Sequence, residues 1–361
     1  MTLAAGTLDP HLAGWLDANA ADLDAMSIPA SQVLPRLAAG EVLAAGVPET
    51  HGGTGGDVTD AVEAIAAVSE RSMAAGFVFW GHRSYIEYLL QSPNAALREA
   101  LLPDLLAGRV AGATGLSNAM KFLSGLEELQ VAAQPQGDGF VLDGKLPWVT
   151  NLKPEGFHVA AAVSYGDARG AFIASLAHDD PGLVRSADLD LMGLRATNTA
   201  AVAISGVAIP PERVIATDAG AWLPLVRPAF LGLQCGMSIG LARRALAEAR
   251  ACVGAGRHTL AEPLADLAAA LAHQERALRE GLKSGVFQVK APPLFQIRIA
   301  LAEIVAQAVG LELQAAGGRA YLSGPGAGFA RRWREAAFVP VITPSLVQLK
   351  TVLAAQRQSA A

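Results

Sequence analysis

The sequence predicts an α+β protein in three blocks: helices, then short strands, then helices again. Two textures carry that reading. Residues 1–112 and 218–361 place apolar side chains at three- and four-residue spacing in an alanine-rich background, the pattern of packed helices. Residues 113–217 instead hold short apolar runs, at 157–163, 171–176 and 200–204, separated by Gly, Asp, Pro and Asn. Short strands punctuated this way form a small barrel or a sandwich.

In the first block a glycine-rich turn at 48–57 interrupts the helices. A helix is expected from Thr59, capped by Asp57 or Thr59. The next holds His82, Tyr85, Tyr88 and Leu89, and another ends near Leu106. Glycines 52, 53, 55 and 56 have the look of a phosphate loop, but no strand precedes them and no Lys-Ser/Thr follows, so that reading is set aside. The most informative stretch is 137–151, Gly-Asp-Gly-Phe-Val-Leu-Asp-Gly-Lys-Leu-Pro-Trp-Val-Thr-Asn. Its Gly-Asp-Gly and Asp-Gly signals predict turns on either side of Phe140-Val-Leu, with a second extended run carrying Trp148 and Thr150. Alternate residues of a strand share a face, so the Trp148 ring and the Thr150 hydroxyl make a wall suited to a flat heterocycle, or else Trp148 is core. In the third block helices are expected over 236–251, 264–282 and 295–316, with Pro292-Pro293 as a connection. Their small residues permit close packing, within the core or between subunits.

Hydrophobic residues make up 52% of the 361 and charged residues 17%, which describes an ordered globular chain. A net charge of -5 gives no reason to expect nucleic-acid binding. Cys235 and Cys252 suit a reducing compartment better than a disulfide framework. No signal peptide and no membrane span is expected, so the reading is cytoplasmic. There is no dinucleotide-binding glycine fingerprint, P-loop or clustered metal-ligand spacing.

Five motifs in order resemble the acyl-CoA dehydrogenase superfamily of flavoproteins. They are the Gly46-Val-Pro-Glu-Thr-His-Gly-Gly-Thr-Gly-Gly-Asp57 turn, the 137–151 stretch, Met192-Gly-Leu-Arg195 with the run at 207–214, Arg257-His-Thr259, and Gln314-Ala-Ala-Gly-Gly318. The resemblance implies an N-terminal helical domain (1–112), a central small β-barrel domain (113–217) and a C-terminal four-helix-bundle domain (218–361). It also implies FAD. Trp148 would pack on the isoalloxazine, Thr150 would bond near N5, and Ser117 would touch the pyrimidine side. Arg257 and Thr259 would hold the pyrophosphate of a FAD bound mainly by a neighbouring subunit. Gln314, Gly317 and Gly318 would lie along its adenosine. A homodimer or homotetramer follows from that sharing.

The chain departs from the family where most members carry a catalytic glutamate. Arg331-Arg-Trp-Arg-Glu335 resembles the stretch before it, but Val341 and Ile342 fall at the Tyr-Glu positions, and no carboxylate follows Glu335. The alternative position, early in the first long C-terminal helix, is also empty, since no Asp or Glu lies between Asp218 and Glu248. An aliphatic side chain cannot accept a proton. His82 is the candidate acid–base residue, with a hydrogen-bonded structural histidine as the competing reading. Arg83 and Ser124 are candidates for substrate binding. Three functions follow, in descending weight. The first is a FAD-dependent oxidoreductase acting on an acyl thioester or related small molecule with a non-standard base, with an electron-transfer flavoprotein as partner. The second is a two-component flavin monooxygenase served by a flavin reductase. The third is a catalytically silent flavin- or CoA-binding subunit.

Overall fold

The computed structural model describes residues 8–117, 119, 122, 127–253 and 258–360. The chain begins with helices α1 (Pro10–Ala25), α2 (Val33–Ala39), α3 (Val58–Arg71), α4 (Met73–Leu90) and α5 (Ala95–Leu106). Asp57 starts α3, as its side chain takes the Thr59 amide at 2.8 Å while its own amide donates to Asp60 at 2.9 Å. This reciprocal arrangement satisfies two otherwise orphaned donors. Helix α4 is buried on all sides from Met73 to Leu89, as its apolar composition requires. The glycine-rich turn before α3 spends its amides internally: Gly52 on Glu49, Gly53 on Pro48 and Gly55 on Val47. It therefore offers no amide cradle to a phosphate.

Strands β1 (Ala111–Gly115), β2 (Val131–Gln136), β3 (Gly139–Val149), β4 (Phe157–Ser164), β5 (Ala171–Ala177), β6 (Leu183–Arg185), β7 (Ala200–Ile209) and β8 (Val214–Ala216) follow. They form one sheet in the order β6-β7-β3-β2-β4-β5-β8, with β1 parallel to β4. One edge of β4 is shared by β1 (at 157–161) and β2 (at Ser164), so the sheet turns a corner there. The hairpin differs from the sequence expectation. Its turn is Gly137-Asp138, between β2 and β3, and β3 runs unbroken through Asp143-Gly144. Gly144 sits at a register shift against β7. A Cβ there would lie 2.0 Å from the Gln130 carbonyl oxygen, so the glycine serves close approach rather than a turn.

The remaining helices are α6 (Ala219–Cys252), α7 (Ala261–Ser284), α8 (Val286–Val289), α9 (Pro292–Ala316), α10 (Ala327–Phe338) and α11 (Leu346–Ala360). Helix α6 starts seventeen residues before its expected start at 236, running through Pro224 and Pro228. Pro292-Pro293 opens α9 rather than preceding it, since proline is preformed for a first helical turn. The fold is thus a helical N-terminal region, a central sheet and C-terminal helices, as predicted.

The expectation of no stretch long and apolar enough to cross a membrane is corrected. By length and composition three helical stretches among the described residues qualify: Ala219–Cys252, Pro292–Tyr321 and Ala327–Gln358, with 89%, 56% and 33% of their apolar windows buried. Burial explains the first, because α6 lies between α3 and α9 and a helix surrounded by helices is apolar on every face. The closeness of α3 and α6 depends on glycine. A Cβ on Gly240 would lie 2.1 Å from the Ala66 carbonyl oxygen, and one on Gly236 would lie 2.6 Å from that of Val62. At these positions the small residues serve the core. Gly240→Val should force the helices apart and lower stability by about 3 kcal/mol, read by denaturant titration; an unchanged midpoint would show that the contact is not needed.

Candidate active site

A cavity of about 710 Å³ opens where the sheet, α4, α6 and the segment after α10 meet. Trp148 and Thr150 both line it, Trp148 from the end of β3 and Thr150 just beyond. Trp148 is 57% exposed and Thr150 is buried, so the tryptophan is an uncovered ring rather than core. Ser117 lines the same cavity, and Thr114 does so while its hydroxyl meets that of Tyr88 at 2.9 Å. The opposite side is aromatic. Phe77 and Trp80 stack at 5.4 Å, Phe338 meets Phe77 edge-on, and Phe230 leans on Trp80. Phe77 and Trp80 lie one helical turn apart on α4, a spacing that in the sequence reads only as core.

The end of β3 is fixed by backbone pairing. The amides of Asn151 and Leu152 donate to the carbonyls of Thr197 and Asn198 at 2.9 and 3.0 Å. The Thr150 hydroxyl meets that of Thr199 at 3.0 Å, and Thr199 meets Thr197 at 2.8 Å. Leu194 adopts a left-handed backbone (φ 58), and its amide donates to Asp24 at 3.0 Å. Asp24, buried on α1, also pairs with Arg334 of α10. Arg332–Glu312 ties the same helix to α9, while Arg331–Glu335 lies within it, and α10 presents Arg334, Ala337 and Phe338 to the cavity.

Val341, Ile342 and Thr343 form the wall where the family glutamate is expected. Two groups hold that wall from behind. The fully buried Arg298 donates to the Val339 carbonyl and to the Gln234 side chain, each at 2.6 Å. Gln234 in turn donates to the Thr343 carbonyl at 3.0 Å. Burial pushes the Arg298 guanidinium below its ordinary range and lifts the Cys235 thiol to about 12. Sequence reading missed Arg298, Gln234, Asp24 and Arg334, because nothing in their local pattern distinguishes them from other polar residues on helices.

Among the described residues the only carboxylate lining the cavity is that of the exposed Glu127. The residues outside the described ones include no Asp, Glu or His.

His82 is not at the cavity. Its Nδ1 accepts the Gly112 amide at 3.0 Å, and its Nε2 lies 2.9 Å from the Leu105 carbonyl. An amide can only donate and a carbonyl can only accept, which makes the ring neutral with its proton on Nε2. Burial, more than the neighbouring Arg83, lowers its pKa to about 4. The acid–base expectation for His82 is therefore corrected to a structural role. Arg83 is corrected likewise: it is fully buried, paired with Glu87 at 2.8 Å and bonded to the carbonyls of Ala45 and Gly46. Ser124 and Arg257 lie outside the described residues. Thr259 and Gln314 are exposed and Gly318 faces open space. Gly317, with a φ of 62, ends α9. None of these four lines the cavity of its own chain.

A family model described as the N-terminal domain of acyl-CoA dehydrogenases matches residues 7–109. Mitochondrial isovaleryl-CoA dehydrogenase of Pongo abelii is 26% identical over 181 residues, covering 48% of this chain and 42% of the relative. Residues 7–109 belong to the acyl-CoA dehydrogenase N-terminal domain family. Benzylmalonyl-CoA dehydrogenase of Aromatoleum aromaticum is another relative, 26% identical over 203 residues, or 55% of this chain and 53% of that one. The chain thus spans about half the length of the curated relatives it matches. Among solved structures, glutaryl-coenzyme A dehydrogenase with glutaryl-CoA superposes at TM-score 0.83 and 16% identity, over 100% of this chain and 98% of that one. The dibenzothiophene monooxygenase of Paenibacillus sp. A11-2 does so at TM-score 0.78 and 19% identity, over 94% and 93%. At these identities the likeness speaks for the fold, and that fold houses both kinds of enzyme.

The unfolded chain takes up the His82 proton near pH 6.5 and the folded chain only near pH 4. Stability should therefore fall as pH drops through that window, by up to about 3 kcal/mol. His158, also lowered to about 4 by burial, acts in the same direction. His82→Gln should flatten the pH dependence of Tm between pH 6.5 and 4 relative to the parent. An identical slope in both proteins would contradict the neutral, buried assignment.

Proposed function

We propose that this chain is a flavin-dependent oxidoreductase that works without a carboxylate base, acting through reduced flavin and dioxygen on a small molecule. One observation carries the reading: Phe230, Val341, Ile342 and Thr343 form the wall that would have to supply the base. Removal of a general base costs a factor of at least about 10², so α,β-dehydrogenation of an acyl thioester is the reaction this cavity serves worst.

The residues suit a flavin ring. An exposed indole face beside a cavity gains from being covered by a flat ring. The hydroxyls of Ser117, Thr114 and Thr150 supply polar partners along its edges. FAD is the form the family resemblance implies, and it supplies two-electron chemistry when bound. Trp148 would support the ring, Thr150 would bond at N5 and Ser117 at the pyrimidine side. The aromatic wall of Phe77, Trp80, Phe230 and Phe338 would exclude water and receive the substrate. Arg257, Thr259, Gln314, Gly317 and Gly318 would serve the nucleotide tail of a cofactor held mainly by a second copy, in a homodimer or homotetramer in the cytoplasm. That assignment agrees with the place of Thr259, Gln314, Gly317 and Gly318 outside the lining of the chain's own cavity and with the exposed apolar share of the C-terminal helices. Under this reading a flavin reductase supplies the reduced cofactor.

A second reading keeps thioester oxidation, with Glu127 as base and an electron-transfer flavoprotein as acceptor. It is favoured by the dehydrogenase relatives and by the place of Glu127 on the cavity lining. A catalytically silent subunit is the third reading.

An anaerobic titration separates the first reading from the second. FAD-loaded protein should keep its visible absorption through a panel of butyryl-, isovaleryl-, glutaryl- and benzoyl-type CoA thioesters, and Trp148→Ala should weaken FAD binding about 10-fold. Bleaching by any thioester, abolished by Glu127→Gln, would establish the second reading instead.

A further inference from the structure

Three buried threonine hydroxyls form a file that ends at the cavity. The Thr197 hydroxyl donates to the Leu194 carbonyl at 2.8 Å. It lies 2.8 Å from Thr199 Oγ1, which lies 3.0 Å from Thr150 Oγ1. Thr199 and Thr150 line the cavity and Thr197 is fully enclosed behind them. A hydroxyl has one proton, and a carbonyl can only accept. The proton of Thr197 is therefore spent on Leu194, and Thr197 can only accept from Thr199. The proton of Thr199 is then spent on Thr197, and Thr199 can only accept from Thr150. Thr150 is left facing the cavity with lone pairs and no proton to give. Leu194 sets this direction, because its left-handed backbone is held by the bond from its amide to Asp24.

We infer that the file makes Thr150 an obligate hydrogen-bond acceptor and so tunes the site toward reduced flavin. This rests on the reading above that Thr150 meets N5. Oxidised isoalloxazine has a lone pair and no hydrogen at N5, so two lone pairs would face each other. Reduced isoalloxazine carries N5–H, which Thr150 can accept. Thr197 and Thr199 are thus positioning residues that set the proton on Thr150, Thr197 from behind the cavity and Thr199 from its lining.

The test is the ratio of FAD affinities in the oxidised and reduced states, read from the midpoint potential of bound against free FAD. The parent should bind reduced FAD about 10-fold more tightly, which for two electrons raises the potential by about 30 mV. Thr199→Val and Thr197→Val each release a proton for Thr150 to donate, and should erase or reverse that preference. Thr199→Ser keeps the file and should retain the parent ratio, separating proton direction from packing. A parent that binds FAD with no preference for the reduced state would overturn the inference alone, as would valine variants that match the parent. Absence of FAD binding in either state would overturn the flavin reading, and this inference with it.

Discussion

The buried polar junction at the end of β3 is what the cavity depends on. Asn151 holds a left-handed backbone there, and its amide and that of Leu152 pair with the segment leading into β7. The Asn151 side chain donates to the Gly112 carbonyl at 2.9 Å, while the Gly112 amide donates to His82. Through His82 and Leu105 the junction reaches α4 and α5. A donor or acceptor left unpaired here would cost about 1–3 kcal/mol, so the helices, β1 and the Trp148–Thr150 wall are fixed as one unit. His82 is thereby a bracket for the wall rather than a participant in chemistry.

The facing wall is held with the same economy and a different chemistry. Among the described residues Arg298 pairs with no carboxylate; two of its three nitrogens donate, one to Gln234 and one to the Val339 carbonyl, while the third is buried without a partner. The Arg298 bond to Val339 and the Gln234 bond to Thr343 bracket Val341 and Ile342. The wall lacks a base and is nonetheless firmly placed, which argues for a cavity shaped for use. Asp24 links the third side, joining α1 to α10 and to the Leu194 turn from which the hydroxyl file takes its direction.

Much of this was legible in the sequence, for local reasons. The three-block order follows from hydrophobic period, and the shared face of Trp148 and Thr150 follows from strand alternation. The lost glutamate was visible as an absence. What was misread depends on contacts distant in sequence. Asp143-Gly144 has turn chemistry, yet Gly144 is there for the Gln130 carbonyl of the adjacent strand. Pro224 and Pro228 signal a helix boundary, yet α6 runs through both. His82 and Arg83 look reactive because partners at Leu105, Gly112, Ala45 and Gly46 cannot be read from their own helix. The role of Thr197 and Thr199 emerges only once the acceptor at Leu194 gives the file a direction.

The account rests on a flavin ring held between Trp148 and a wall without a base. A crystal structure of the protein loaded with reduced FAD tests it most directly. The account predicts the isoalloxazine against Trp148, Thr150 Oγ1 within hydrogen-bonding distance of N5, and only aromatic and aliphatic side chains across from N5. A carboxylate or imidazole in contact with the N5 side of the ring, whether Glu127 or a residue of a second copy, would contradict it.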